Sequence, residues 1–463
     1  MTLIKSISGI RGTIGGKPAE ALTPIDAVKF AAAFGMWVKS RQGRKVVIGR
    51  DARPSGAMIS QLVSATLQGV GLDVIDLGLS TTPTVEIAVT LEKAQGGIIL
   101  TASHNPIQWN ALKLLNERGE FLSAADGAEI LRMVNQESFD FAPVTQLGSY
   151  RIGEKYIQKH IALILKNKLV DAKAIKRARF KIAIDAVNST GGISVPKLLK
   201  ALGVRKVVEL YCEPTGIFPH NPEPLPEHLT RICRVVRREQ CDLGIVVDPD
   251  VDRLALIQED GKPFGEEYTL VAVADYVLTR KRGNTVSNLS STRALRDITE
   301  KHKGTYRAAA VGEVNVVQAM KETRSVIGGE GNGGVIFPDL HYGRDALMGI
   351  ALFLTHLART RLTASELRKS YPPYFISKNK MELTPSLDVN GILDQVKQLY
   401  RAEVINTSDG VRIDFEKEKE WVHLRKSNTE PIIRIYAESK SAKRADELAQ
   451  QLIADIRRIA KLD

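Results

Sequence analysis

Cysteine is scarce in this chain. Cys212, Cys233 and Cys241 are the three cysteines in 463 residues, and no two of them form a CxxC pair. That excludes a disulfide scaffold and the usual redox or zinc motifs, and leaves three inert thiols. Long apolar runs are missing as well: none approaches the roughly 20 residues a membrane span needs. Residues 1–10 carry a single lysine and a short apolar stretch ahead of Arg11, unlike a secretory leader. A soluble, cytoplasmic protein with no membrane partner is expected. Aromatic residues make up only 6%, and no recognition motif accompanies the net charge of +12, so nucleic acid is not an expected partner. The basic clusters at 173–179 and 234–238 read as solvated helix faces.

At 463 residues the chain exceeds what one hydrophobic core organises. Short β-branched runs at 45–49, 97–101, 180–185, 243–248 and 325–328 are each followed by turn residues and then an amphipathic segment, the pattern of strand–loop–helix units. Turn-rich stretches near 150, at 259–263 and at 371–374 divide the chain. The reading is three α/β domains with mixed sheets, over 1–150, 151–256 and 257–370, and a smaller α+β domain over 371–463. The last closes with two strands, at 421–424 and 432–437, and a helix over 442–459. In α/β sheets ligands gather at the carboxyl ends of strands, so the chemistry is expected just after these runs.

Four segments there are unusual. Asp248, Asp250 and Asp252 alternate directly after an apolar strand, which is costly unless a cation neutralises them, and oxygen donors alone favour Mg²⁺. Ser103, with His104 beside it and Lys113 downstream, ends another strand. A serine hydroxyl is a weak nucleophile without such a neighbour or a cation. Arg425, Ser427, Asn428 and Thr429 pack guanidinium, hydroxyl and amide donors into five residues, which suits a phosphate dianion. The glycine-rich stretch 328–334 lacks the spacing of a dinucleotide fingerprint or a P-loop, but carries Glu330 as an acceptor for sugar hydroxyls.

Taken in order, these segments resemble the α-D-phosphohexomutase superfamily along the whole chain. Residues 8–12, with Arg11, look like its amino-terminal arginine motif, and 48–53 like its second strand end. Residues 101–106 are similar to the phosphoserine loop, 248–253 to the metal loop, 330–334 to the sugar loop and 425–431 to the phosphate loop. The resemblance implies four domains around a central cleft, the last rotating to clamp a sugar phosphate. It implies a phosphoserine at Ser103, one Mg²⁺ held by Asp248, Asp250, Asp252 and that phosphoserine, and a sugar bisphosphate as intermediate and activator. On this pattern Arg11 and His104 neutralise the transferring group, Lys113 is the general acid/base, and Arg253, Glu330 and Asn332 bind substrate. The other phosphate rests on Arg425, Ser427, Asn428 and Thr429.

The sugar loop departs from the pattern, because bacterial relatives carry Ser and His where Asn332 and Gly334 stand here. His341 is a candidate substitute. Residues 311–313 and 426–431 resemble the phosphoglucosamine branch, so interconversion of glucosamine 6-phosphate and glucosamine 1-phosphate is the expectation. A broad-range phosphomannomutase/phosphoglucomutase and a metal-dependent sugar phosphatase are the rivals. Monomer and homodimer are both left open.

Overall fold

The computed structural model describes residues 2–6, 9–382, 388–426 and 432–460. Apolar runs such as those of Gly96–Leu100 and Leu243–Val247 are buried along their whole length, as strands covered on both faces by helices must be. They form the middle of three mixed sheets with one shared plan. In the first domain Lys45–Arg50 pairs in parallel with Asp73–Leu79 on one side and Gly96–Leu100 on the other, and Trp109–Leu115 returns antiparallel. In the second, Lys181–Asp185, Lys206–Leu210, Leu243–Val247 and Leu254–Gln258 repeat that order. In the third, Thr285–Asn288, Tyr306–Ala309, Ile327–Glu330 and Gly334–Ile336 do so again. The first sheet is extended by Ile4–Ser6 and Gly9–Thr13 at one edge and by Tyr150–Ile152 at the other.

The repeated plan fixes where the unusual segments fall. In each sheet the last parallel strand crosses to its antiparallel neighbour through a short loop: 101–108, 248–253 and 331–333. Each of these loops holds one residue in the left-handed region, Ser103 (φ 48°), Val251 (φ 63°) and Gly333 (φ 85°). For the two non-glycine residues this conformation costs on the order of 1–3 kcal/mol and persists only where the surroundings enforce it.

The fourth domain is an antiparallel sheet in the order Phe375–Glu382, Ile432–Ser439, Glu420–Lys426, Val411–Phe415, Val404–Asn406. It is backed by helices Val389–Leu399 and Ala442–Ala460. Its core, around Val396, Leu424, Ile435 and Ile456, is separate. The second and third domains instead share one continuous core, into which helix Ala346–Thr360 is sunk for most of its length. The three cysteines are unpaired. Among the described residues no helix is long and apolar enough to cross a membrane.

Candidate active site

The three crossing loops and one edge of the fourth domain converge on a cavity of about 800 Å³. Ser103 sits on its wall, and its Oγ donates to Oδ2 of Asp248 at 2.6 Å. The Ser103 loop is fixed from below by Arg53, whose side chain is fully buried. Arg53 Nη2 donates to the carbonyls of Ser103 and Asn105, each at 2.6 Å, and Nη1 to those of Pro106 and Trp109 at 2.6 and 3.0 Å. Asp51 neutralises Arg53 at 3.0 Å and accepts from Thr101 Oγ1 at 2.7 Å. His104 Nδ1 lies 3.4 Å from Ser103 Oγ. Burial and the nearby Arg253, Arg344 and Arg11 hold its imidazole well below the usual histidine range.

The acidic loop is buried and gripped from two sides. Ser189 and Thr190 each donate to the carbonyl of Pro249 at 2.7 Å, and Thr82 Oγ1 donates to Asp250 Oδ2 at 2.6 Å. Asp248 Oδ1 accepts the backbone N–H groups of Asp252 and Arg253. Lys113 Nζ stands 2.8 Å from Asp250 Oδ2 and 3.7 Å from Asp252 Oδ2, and Arg344 Nη2 donates to Asp252 Oδ2 at 2.7 Å. Burial and the two neighbouring carboxylates push Asp248 well up. Asp250 resists burial and is held low by the Lys113 ammonium. Lys113 is in turn raised, against burial, by Asp250 and Asp252. Oδ1 of Asp250 and Oδ1 of Asp252 are buried without a hydrogen-bond partner. The three aspartates offer oxygens within 4.8 Å of one another. Buried, unpaired carboxylate oxygens at this spacing are a donor set for a small hard cation.

Cationic side chains crowd the cavity wall. Arg11 donates to Asn105 Oδ1 at 3.2 Å, and burial together with Arg253 lowers its pKa. A buried guanidinium depressed by a second one beside it marks a place for an anion. Arg253 Nη1 donates to Glu223 Oε1 at 3.2 Å. On the third domain, Glu330 accepts from Asn288 Nδ2 at 2.9 Å, the Gly312 N–H at 3.2 Å and Arg344 Nη1 at 2.7 Å. These partners, Arg344 above all, outweigh burial and keep it anionic. Asn332 faces the cavity, with its Oδ1 accepting the Gly334 N–H. A Cβ at Gly333 would lie 2.3 Å from the Leu254 carbonyl, so the close packing of the sugar loop on the acidic loop requires glycine there.

His341 does not reach this cavity. It is tied to Glu86 and Asp345, and Arg344, three residues on, lines the wall in its stead. Arg344 also donates to Glu313 Oε2 at 2.9 Å, so one guanidinium binds Asp252, Glu313 and Glu330. From the fourth domain Arg425 lines the cavity and pairs with Asp409 at 2.8 Å. Asp409 also accepts the Val311 N–H at 3.0 Å. Ser427, Asn428 and Thr429 lie outside the described residues. Sequence reasoning missed Arg344 and Asp409, which stand in no recognisable phosphate or metal motif. It gave no role to Arg53 or Glu313, although 48–53 and 311–313 were singled out.

A serine hydroxyl bonded to a carboxylate of a cluster that could hold a metal ion, facing a guanidinium-lined cavity between domains, is an arrangement suited to phosphoryl transfer. Comparison with known proteins gives the particular family. The phosphoglucomutase/phosphomannomutase α/β/α domain models I, II and III match residues 3–141, 154–261 and 265–374, and the C-terminal domain model matches 380–455. The chain belongs to the phosphoglucomutase/phosphomannomutase family within the α-D-phosphohexomutases, and is an isomerase. It is 37% identical to a phosphoglucomutase/phosphomannomutase of Thermococcus kodakarensis, over 94% of this chain and 96% of that one. It is 31% identical to a phosphoglucosamine/phosphogalactosamine mutase of Sulfurisphaera tokodaii, over 96% and 97%. The crystal structure of a family protein from Burkholderia thailandensis superposes with a TM-score of 0.84 at 25% identity, covering 98% of this chain and 97% of that one.

Proposed function

We propose that this chain moves a phosphoryl group between the 6- and 1-positions of a hexose phosphate through Ser103, with glucosamine 6-phosphate as preferred substrate. The observation that carries the reading is the 2.6 Å hydrogen bond from Ser103 Oγ to Asp248, within a carboxylate cluster that has two unpaired oxygens. Asp248, Asp250 and Asp252 would hold Mg²⁺, which when bound offsets the charge of a phosphoryl group on Ser103.

Phosphoryl transfer rests on alignment and charge neutralisation, and the residues divide that work. Ser103 in its phosphorylated form gives its phosphoryl group to a sugar hydroxyl: the P–Oγ bond breaks as the new P–O bond to the sugar forms. Lys113 takes the hydroxyl proton. It does so as the neutral amine and returns the proton as the ammonium in the reverse transfer. Arg11 and Arg253 bind the phosphoryl oxygens, and His104 donates a neutral hydrogen bond beside Oγ. Arg425, with Ser427, Asn428 and Thr429, holds the phosphate that stays on the sugar, while Glu330 and Asn332 orient the ring. The bisphosphorylated sugar then turns over and returns its other phosphoryl group to Ser103, so a sugar bisphosphate primes the enzyme. The separate core of the fourth domain suits a clamp that opens for this turn.

The amino-sugar preference draws on residues 311–313 and 426–431 and on the name of the Sulfurisphaera relative. The name of the Thermococcus relative favours the second reading, a broad hexose range. A phosphatase has no use for a phosphate clamp opposite the nucleophile. A cytoplasmic location goes with the sugar-phosphate substrate. The test is a coupled assay with Mg²⁺ and catalytic sugar bisphosphate on glucosamine 6-phosphate, glucose 1-phosphate and mannose 1-phosphate. Fastest turnover of the amino sugar is expected; faster turnover of the plain hexoses moves the assignment to the broad-range mutase.

A further inference from the structure

A second cluster of metal-ligating side chains lies outside the cavity, where the first three domains meet. Helix Tyr156–Lys166 of the second domain brings His160. The third brings His341 and Asp345, the residue that caps Ala346–Thr360. His160 Nε2 stands 2.9 Å from Asp345 Oδ2, and His341 Nε2 3.2 Å from the same oxygen. All three donor atoms lie within 4.8 Å of one another. Ligand atoms held about 2.0–2.1 Å from one tetrahedral ion stand about 3.3 Å apart, which is the scale of these separations.

The far side of each donor is already held. His160 Nδ1 is 3.0 Å from Thr84 Oγ1, and His341 Nδ1 is 3.2 Å from Glu86 Oε2. Asp345 Oδ1 accepts the N–H groups of Leu347 and Met348 at 2.9 and 3.1 Å. Outer partners of this kind, hydroxyl or carboxylate behind imidazole and N–H behind carboxylate, are what orient the ligands of a bound metal.

The charge balance supplies an independent observation. Glu86 is 1% exposed; its Oε2 faces His341 Nδ1, and its Oε1 is buried without a hydrogen-bond partner. Its Oε2 rests on Gly343, where a Cβ would stand 1.9 Å away, so the glycine makes room for the carboxylate at this spot. Two buried carboxylates, Glu86 and Asp345, thus converge on two imidazoles; Lys113 acts on Glu86 from further off, and among the described residues neither carboxylate forms an ion pair with lysine or arginine. Buried carboxylates call for positive charge close by.

We propose that His160, His341 and Asp345 form a second metal site, separate from the aspartate cluster, that takes a zinc-class divalent ion, with Glu86 as the outer partner of His341. Two imidazole nitrogens and one carboxylate oxygen select such an ion over Mg²⁺, which the all-oxygen cluster favours. Ligands from two domains and outer partners from a third make the ion a staple between them, not a participant in phosphoryl transfer.

The test is titration of chelator-treated protein with Co²⁺, followed by the visible absorption of tetrahedral cobalt. One equivalent of tetrahedral cobalt is expected in the wild type and in an Asp248→Asn/Asp250→Asn variant, whose aspartate cluster is disabled. The absorption is expected to be lost in His160→Asn, and Zn²⁺ is expected to raise the thermal midpoint of the wild type but not of that variant. Absence of the cobalt spectrum in both the wild type and the double variant would overturn the proposal, leaving a protonated His341 to bridge the two carboxylates. That outcome is read without any variant of the cluster, so a misfolded His160→Asn does not blur it.

Discussion

Arg53 holds Ser103 by its backbone: the guanidinium, sealed beneath the loop, donates to the Ser103 carbonyl at 2.6 Å while the side-chain hydroxyl above is left free to meet Asp248. The left-handed φ of Ser103 is stabilised by this grip. Lysine cannot reproduce a fork that serves four carbonyls. Arg53→Lys is expected to lower kcat by about 100-fold, the scale of a 1 Å misplacement at a reacting centre. KM should stay within a few-fold. Steady-state kinetics beside a thermal melt separate this from simple unfolding, and an unchanged kcat in a folded variant contradicts it.

Arg344 bridges the acidic loop and the sugar loop. Removing its charge frees Asp252 for a cation but leaves Glu330 without its strongest partner. Arg344→Gln is therefore expected to shift two constants in opposite directions, each by about 10-fold, or 1.4 kcal/mol: tighter Mg²⁺ activation and a higher KM for sugar phosphate. Parallel titrations of Mg²⁺ and substrate check it. Loss of affinity for both counts against the bridge.

Asp409 pairs with Arg425 and accepts the Val311 N–H of the third domain. Asp409→Asn keeps the acceptor and removes the charge that fixes the guanidinium. KM is expected to rise about 5- to 10-fold with kcat nearly unchanged, as for an interaction that holds ground and transition states alike. A fall in kcat at constant KM would assign Asp409 another role.

Much of this was legible beforehand because the crossing loops are local. Asp248, Asp250 and Asp252 follow a five-residue apolar strand, and Ser103 follows another, so periodicity and spacing alone placed them at strand ends. The shared order of the three sheets was not legible, since it is set by pairing between distant strands. Arg344 was hidden for the same reason: its partners are 14, 31 and 92 residues away in the chain. His341 misled because a histidine near the sugar loop in sequence points, in the fold, into the junction of three domains.

Glu438 gives a pH signature. It is fully buried and accepts the Arg293 N–H at 2.8 Å and Trp421 Nε1–H at 2.6 Å. Burial outweighs these bonds and raises its pKa to about 7. The folded state thus binds this proton more tightly than the unfolded one, so stability falls as pH rises from about 4.5 to about 7. The loss is on the order of 3 kcal/mol at 1.36 kcal/mol per unit. Thermal midpoints from pH 5 to pH 8 should decline less steeply in Glu438→Gln than in the wild type. Equal slopes would show that this carboxyl does not carry the effect.

The central claim is that Ser103 carries the phosphoryl group. The most direct measurement is mass spectrometry of the protein after incubation with Mg²⁺ and glucose 1,6-bisphosphate, read on the peptide that contains Ser103. The account predicts one added phosphoryl group on Ser103, removed by excess hexose monophosphate as sugar bisphosphate forms, and no label or turnover in Ser103→Ala. A phosphoryl group on another residue, or undiminished mutase activity in Ser103→Ala, would contradict it.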